Sequence, residues 1–448
     1  MIKPSGARKP VLGRFPTGLL VTDLEVLTVT PTSAVINWTT RAPHNGYGVP
    51  APIPAGTQLS FGPAGGRLRL WHDDDTPRSF HSVSVTGLEP GRRYRFQASS
   101  QGQPATPALW PTRRPYSSER IGEFTTLRLP PGDYCNTIAI LNDTHLGERR
   151  QGVVLGPLPT SVQPSAGQQD YPGIMLAAAL AELASRHDHP VALINGDLTF
   201  DNTPAQTAQA MDLLNGYGRP RHDWVVTRGN HDRPYRTRDP FGEFLVDYQR
   251  SQVVEIAGGL RMLAMDSTRG SAGGWISDDQ YDQITAALLG DPDRPTLAAT
   301  HHPVTHDAAW SSISGPQFML RSRDRVRLQI LERRAPGVFL HVAGHTHRMR
   351  RDRASLPGAH TRYLETAACA AYPGGYTLLH LYTGGYLVNF WRPDLPAAQD
   401  WLLRSRWQML GIGAHLMLGS TADRNHMVVT DLSGLEPNQR RLPPELAA

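Results

Sequence analysis

Five apolar stretches of this chain each stop at residues of the types that bind metal. Ile138 to Leu141 leads into Asn142-Asp143-Thr144-His145, and Val191 to Ile194 leads into Asn195-Gly196-Asp197. Trp224 to Thr227 precedes Gly229-Asn230-His231-Asp232, and Leu297 to Thr300 precedes His301-His302-Pro303. Phe339 to Ala343 delivers Gly344-His345-Thr346-His347, a turn in which two imidazoles reach one place. Helical patterns over Ile174 to His187, Pro204 to Tyr217, Asp278 to Leu289 and Phe318 to Arg334 separate these strands, so they belong to an α/β sandwich. In such sheets the site lies beyond the carboxyl ends of the strands, and all five motifs sit there.

The 448 residues allow two or three domains, each with its own core. From about Thr22 to Thr126 the pattern is one of short strands between Pro and Gly turns, namely Ala34 to Thr39, Ser82 to Thr86, Tyr94 to Ser99 and Gly122 to Leu127. Thr30 to Trp38, followed by Gly87-Leu88-Glu89-Pro90-Gly91-Arg92-Arg93-Tyr94-Arg95-Phe96, resembles a fibronectin type III domain. The resemblance makes Trp38 the core tryptophan and Tyr94 the corner tyrosine. The expected organisation is an extension over 1–20, a fibronectin III-like β-sandwich over 21–128, an α/β/β/α catalytic sandwich over 133–395 and a C-terminal extension over 396–448. In that extension Leu403, Trp407 and Leu410 are spaced for one helical face packed on the core, and residues beyond Gly434 are expected to fray.

Composition narrows the partners. No apolar run approaches the roughly 20 residues that a membrane helix requires, and no export signal is visible, so a cytoplasmic location is expected. Lys3 and Lys9 are the only lysines, so arginine supplies nearly all of the 45 basic residues; these are dispersed, and the net charge is +5. No basic stripe marks a nucleic-acid partner, whereas an anionic substrate is compatible with this balance. Cys135 and Cys369 cannot make a disulfide framework, which leaves metal binding to His, Asp and Asn. Oligomeric state is not readable here.

Carboxylate and neutral imidazole suit hard or borderline divalent cations, and two such ions about 3.5–4 Å apart need a shared ligand. Asp197 is the natural bridge, because it has two oxygens and Gly196 lets the backbone come close. Asp-x-His, Gly-Asp, Gly-Asn-His-Asp, His-x-Pro and Gly-His-x-His, in this order, are similar to the motifs of the calcineurin-like metallophosphoesterases. The match spans about residues 136–390, including Met265-Asp266-Ser267-Thr268 and Gly274-Trp275-Ile276-Ser277. The resemblance implies that Asp143, His145 and His347 bind one metal, Asn230, His301 and His345 the other, and that Asp197 bridges them. It also implies a dinuclear hydrolase of a small phosphate ester, with hydroxide on the metals as nucleophile and His231 as general acid. Asp232 is expected to hold the His231 ring, as carboxylates behind such groups do. Mn, Zn or Fe fits the donors.

A β-sandwich ahead of such a domain also resembles the purple acid phosphatases, but the residues depart from them. Those enzymes pair Asp-x-Gly with Gly-Asp-x-x-Tyr, whereas His145 and Phe200 stand at the corresponding positions here. The pattern is closer to the phosphodiesterase subgroup, although Asp201 falls one residue later than that subgroup's Gly-Asp-x-x-Asp. A phosphodiesterase is the first reading; a non-purple phosphomonoesterase and a non-catalytic scaffold are the alternatives. His302 and Arg348 are the favoured substrate-facing residues, ahead of His306 and His341. The stretch between Gly147 and Gly173, carrying Arg149 and Arg150, is expected to shape the mouth of the site.

Overall fold

The computed structural model describes residues 18–43, 48–108, 117–152, 161–234, 237–245, 250–269, 272–312, 315–353, 356–438, 442–443 and 446. In the N-terminal part, β-branched and aromatic residues supply side chains that fit a pleated, half-buried surface. Leu20–Val29, Ala34–Arg41 and Phe80–Val85 form one antiparallel sheet, and Arg69–Arg78, Ala55–Pro63 and Arg93–Ser100 form the other. The period-2 rule is plain in Arg93–Ser100, where Tyr94, Phe96 and Ala98 are buried while Arg93, Arg95 and Gln97 face solvent. Trp38 lies in the core and donates to Ser100 Oγ at 3.0 Å, and the Tyr94 hydroxyl accepts from Glu89 N at 2.9 Å, which pins the corner.

Two six-stranded mixed sheets follow. The first is ordered Trp224–Thr227, Val191–Asn195, Tyr134–Leu141, Tyr376–Tyr382, Gly385–Trp391, Asn425–Val429. The second is ordered Ser251–Ile256, Leu260–Met265, Thr296–Thr300, Val338–Ala343, Arg362–Glu365, Arg350–Arg353. Strands buried on both faces read as unbroken apolar runs, and here the alternation assigns each side chain to a layer. Met262 and Ala264 point into the core shared by the two sheets, whereas Leu263 and Met265 meet Ile284, Leu288, Leu328 and Leu331 of the outer helices Asp278–Gly290 and Ser322–Arg334. Tyr171–Ser185 and Pro204–Tyr217 cover the other sheet. The architecture is therefore α/β/β/α, preceded by a β-sandwich.

Several expected elements differ in detail. The first outer helix starts at Tyr171 rather than Ile174, because the Asp170 carboxylate caps Gly173 N and a proline occupies the first turn. The helix expected from Phe318 starts at Ser322; Arg321 is extended, and Leu320 pairs with Gly274 in a bridge before it. Leu403, Trp407 and Leu410 do not share one helical face. The helix ends at Ser405, and Met409 and Leu410 take left-handed φ values of 52° and 60°, although Leu403 and Trp407 still pack on the core. The chain beyond Gly434 is not simply frayed: Leu435 and Leu446 are buried, and Asn438 N donates to Tyr134 O at 2.7 Å.

The N-terminal sandwich is joined to the α/β/β/α layers by buried polar groups. Glu25 accepts from Tyr372 Oη at 2.7 Å and from Arg392 Nη1 at 2.6 Å, and Arg406 pairs with Asp23 at 3.2 Å. Asn389 and Arg424 donate to the carbonyls of Val29 and Val26. No described helix is long and apolar enough to cross a membrane.

Candidate metal centre

The strand ends converge because the backbone turns sharply there. Asp143, His145, Asp197, His345 and His347 all have left-handed φ values, between 46° and 66°. Such conformations cost side chains of L-residues energy and persist where surrounding structure imposes them, most often at functional sites. Two glycines make room for the convergence: a Cβ on Gly196 would lie 2.4 Å from the His301 ring, and one on Gly229 would lie 2.0 Å from Asp197 N.

The side chains gather into two groups, which Asp197 links by lying against His145 on one side and His301 on the other. Asp143, His145 and His347 bring their donor atoms together in one, and Asp197, His301 and His345 in the other. His347 Nε2 is 3.3 Å from Asp143 Oδ1, and His145 Nε2 is 3.7 Å from Asp197 Oδ2. On the other side His301 Nε2 is 3.2 Å from Asp197 Oδ2 and 3.2 Å from Asn230 Oδ1. All seven residues expected as ligands thus lie in one cluster.

The donor set fits cations. His145 Nε2 and His347 Nε2 approach to 3.3 Å, an arrangement that suits a shared positive ion better than two neutral rings. His345 Nε2 is buried with no hydrogen-bond partner among the described residues, an orphan that a metal would satisfy. Burial would raise the carboxyl groups of Asp143 and Asp197, but the facing histidines outweigh it and hold both below their usual range. Burial, with the facing His231 and His347 imidazoles, pushes His145 down to about 3, while for His301 the Asp197 carboxylate overcomes burial and lifts it to about 9. The site therefore presents ionised oxygens beside crowded imidazoles.

His231 projects into this cluster. Its backbone N donates to Asp197 Oδ1 at 2.8 Å, and its Nδ1 lies 2.8 Å from the Phe200 carbonyl. That contact places the proton on Nδ1 and frees Nε2, which joins His145 and Asp197 as a third donor group. Asp232 does not orient the ring, contrary to the sequence expectation. Its buried carboxylate accepts from Leu198 N, Thr199 N, Thr199 Oγ1 and Gly229 N at 2.7–3.0 Å, tying the Asp197 turn to the Asn230 turn. Burial and the charge of Asp197 push Asp232 up to about 6.

The two favoured substrate residues are also corrected. Arg348 is buried and locked to Glu365 by two hydrogen bonds of 2.7 and 2.8 Å, so its guanidinium is not free for an anion. His302 has both ring nitrogens occupied, Nδ1 by Ser267 Oγ at 2.8 Å and Nε2 by the Ala272 carbonyl at 3.1 Å. It packs behind His301 and His345 as a wall. His341 is tied to Glu332 and Thr300 inside its sheet, and His306 contacts Trp310 at the surface.

Two groups beside the centre escaped sequence reasoning. Phe200 stacks on His231 with ring centroids 5.1 Å apart. Glu148 is buried three residues after His145, accepts from Tyr171 Oη at 2.7 Å and is pushed up to about 7 by burial. Both line a cavity of about 840 Å³ with Arg149, Asp201, Thr203 and Gln206, beside the centre on the side of His231; residues 153–160 of the stretch expected to shape the mouth lie outside the described residues. Arg150 reaches Ser161 instead.

Comparison with known proteins bears on the same residues. The family model for calcineurin-like phosphoesterases matches residues 137–349. A Synechococcus protein named a probable cyclic nucleotide phosphodiesterase is 30% identical over 199 residues, which cover 41% of this chain and 72% of that one. Among solved structures, a dimetal phosphatase from Danio rerio is similar with a TM-score of 0.44 and 14% identity, over 58% of this chain and 96% of that chain. PhoD is similar with a TM-score of 0.37 and 9% identity, over 83% and 85%. The family match spans the strands that end in Asp143, His145, Asp197, Asn230, His301, His345 and His347, and with the extent of the Synechococcus match it establishes that the chain belongs to the calcineurin-like phosphoesterases.

Proposed function

We propose that this protein hydrolyses small phosphodiesters with two divalent metal ions seated on either side of Asp197. The observation that carries the reading is a pair of donor groups with the Asp197 carboxylate between them, 3.7 Å from His145 of one and 3.2 Å from His301 of the other. Asp143, His145 and His347 would hold one ion, and Asn230, His301 and His345 the other. Bound there, the ions would neutralise phosphoryl oxygens and make water a stronger nucleophile at neutral pH.

The protein's own groups do the rest. His231 keeps Nε2 free because the Phe200 carbonyl takes Nδ1, so the ring in its protonated form can hand a proton to the leaving ester oxygen. The left-handed turns hold the donors in place before substrate arrives, so ordering costs little at the moment of reaction. A diester carries a second organic group that needs space beside the phosphorus, and the cavity of about 840 Å³ lined by Phe200 and Glu148, one ring away from His231, is where it would be accommodated. The name of the Synechococcus relative supports the same choice and points to cyclic nucleotides as substrates to try.

The test is the rate on bis-p-nitrophenyl phosphate against p-nitrophenyl phosphate, using protein stripped of metal and reloaded with Mn²⁺, with Zn²⁺ and Fe²⁺ in parallel. A faster diester rate that chelator abolishes supports the proposal. A monoester preference overturns the choice of substrate class, and binding of metal without turnover of either ester overturns the enzymatic reading.

A further inference from the structure

At the far edge of the two sheets the strands Arg350–Arg353 and Asn425–Val429 splay apart over a groove of about 420 Å³. None of the residues at the metal centre lines it. Register puts Arg351, Arg353 and Arg362 on one face, since Arg353 pairs directly with Arg362 and Arg351 pairs with Leu364. Leu364 belongs to the core between the sheets, so this is the inward face. Three arginines are thus aimed into the groove, two of them directly opposite each other, an arrangement that is destabilising unless something offsets the repulsion.

The guanidinium groups of these three arginines make no ion pair or hydrogen bond among the described residues. Two carboxylates line the groove with them: Asp423 is taken by Ser420 and by Arg351 N, and Asp352 accepts from Arg353 N through Oδ1 while its Oδ2 is buried without a partner among the described residues. Inward-pointing charge on an edge strand can serve simply to discourage edge-to-edge pairing. That role does not explain the facing wall. Tyr386 is fully buried and its hydroxyl has no partner, and His426, 6% exposed, leaves Nδ1 without one. Buried polar atoms are ordinarily satisfied, so three orphans, Tyr386 Oη, His426 Nδ1 and Asp352 Oδ2, beside three unpaired cations mark missing contacts among the described residues.

We propose that this groove binds a hydroxyl-bearing organic phosphate, gripped by Arg351, Arg353 and Arg362 and met at the wall by Tyr386 and His426. Arginine suits the phosphate because its planar fork binds two oxygens at once. The Tyr386 hydroxyl donates to an anionic oxygen. His426 Nδ1, buried and without a partner among the described residues, is left for a ligand hydroxyl. The groove is of a size that takes a sugar phosphate.

The test is isothermal titration of ribose 5-phosphate into the full-length protein freed of metal, with inorganic pyrophosphate as a probe that lacks a hydroxyl. The expected result is one saturable site per chain, weakened at least tenfold by the double change Arg351→Ala, Arg362→Ala and by Tyr386→Phe. Tyr386→Phe removes only the orphaned hydroxyl, so its melting temperature should not fall, and both variants should keep the parent rate on bis-p-nitrophenyl phosphate once reloaded with metal. Pyrophosphate should bind more weakly than ribose 5-phosphate. No saturable binding of ribose 5-phosphate, or binding that the two variants leave unchanged, overturns the proposal.

Discussion

Glu25 offers a direct test of how the N-terminal sandwich is held. Its carboxylate is 5% exposed, between Tyr372 Oη, Arg392 and Arg406. Burial would raise its pKa, but the two arginines and the tyrosine overcome burial and lower it from 4.5 to about 2. At about 1.36 kcal/mol per unit, that difference stabilises the fold by roughly 3 kcal/mol near neutral pH. The folded-state value is depressed, so the stabilisation is present above the unfolded value of 4.5 and is lost as pH falls toward 2. Breaking a buried pair by mutation costs about 3–5 kcal/mol, which agrees with the titration argument. Glu25→Gln should therefore lower stability at pH 7 by roughly 3 kcal/mol, or about 6–12 °C in melting temperature at the 2–4 °C per kcal/mol of a large domain. Urea unfolding of parent and variant at pH 7 and pH 3 is the assay. The gap should shrink to roughly 1 kcal/mol at pH 3, where the unfolded-state carboxyl is already protonated. A gap below about 1 kcal/mol at pH 7, or an equal gap at both pH values, would refute the reasoning.

His231→Ala should lower kcat on bis-p-nitrophenyl phosphate by about 10²–10⁴ while leaving the unfolding midpoint nearly unchanged; a loss under threefold would remove it as the proton donor. Arg348→Ala should act on stability, by about 3–5 kcal/mol, because it strands the buried Glu365. A variant that instead unfolds like the parent and shows a raised KM would restore Arg348 as a substrate contact. Chelation should abolish turnover and lower the melting temperature, and a hundredfold excess of metal over its Kd should return about 2.7 kcal/mol per site. Metal titration followed by calorimetry checks this, and a melting temperature independent of metal would count against the centre.

The strands and their terminal residues were legible because buried strands leave unbroken apolar runs, and because Asp, Asn and His are conspicuous directly after them. Contacts made to the backbone leave no such trace. Asp232 looked like a partner for its neighbour His231, yet it serves four donors, three of them peptide N–H groups, and the ring is held by the Phe200 carbonyl. Arg348 looked available because its partner Glu365 lies 17 residues away. Glu148 carried no signal for the same reason, its donor Tyr171 being 23 residues on. Leu403, Trp407 and Leu410 satisfied a helical period, but periodicity cannot see the left-handed turn at Met409 and Leu410 that breaks it.

The left-handed backbone at five of the seven proposed ligands sets folding against chemistry. Glycine adopts that conformation freely, while each side chain there costs roughly 1–2 kcal/mol. His145, His345 or His347 replaced by glycine would relieve local strain and remove a donor from the crowded centre, so the metal-free chain should gain stability as it loses activity, whereas Asp143 and Asp197 also accept from the backbone of His345 and His231. A library screened only for expression or heat resistance would drift toward glycine at the three histidines and discard the centre. Keeping histidine there requires selection on turnover itself.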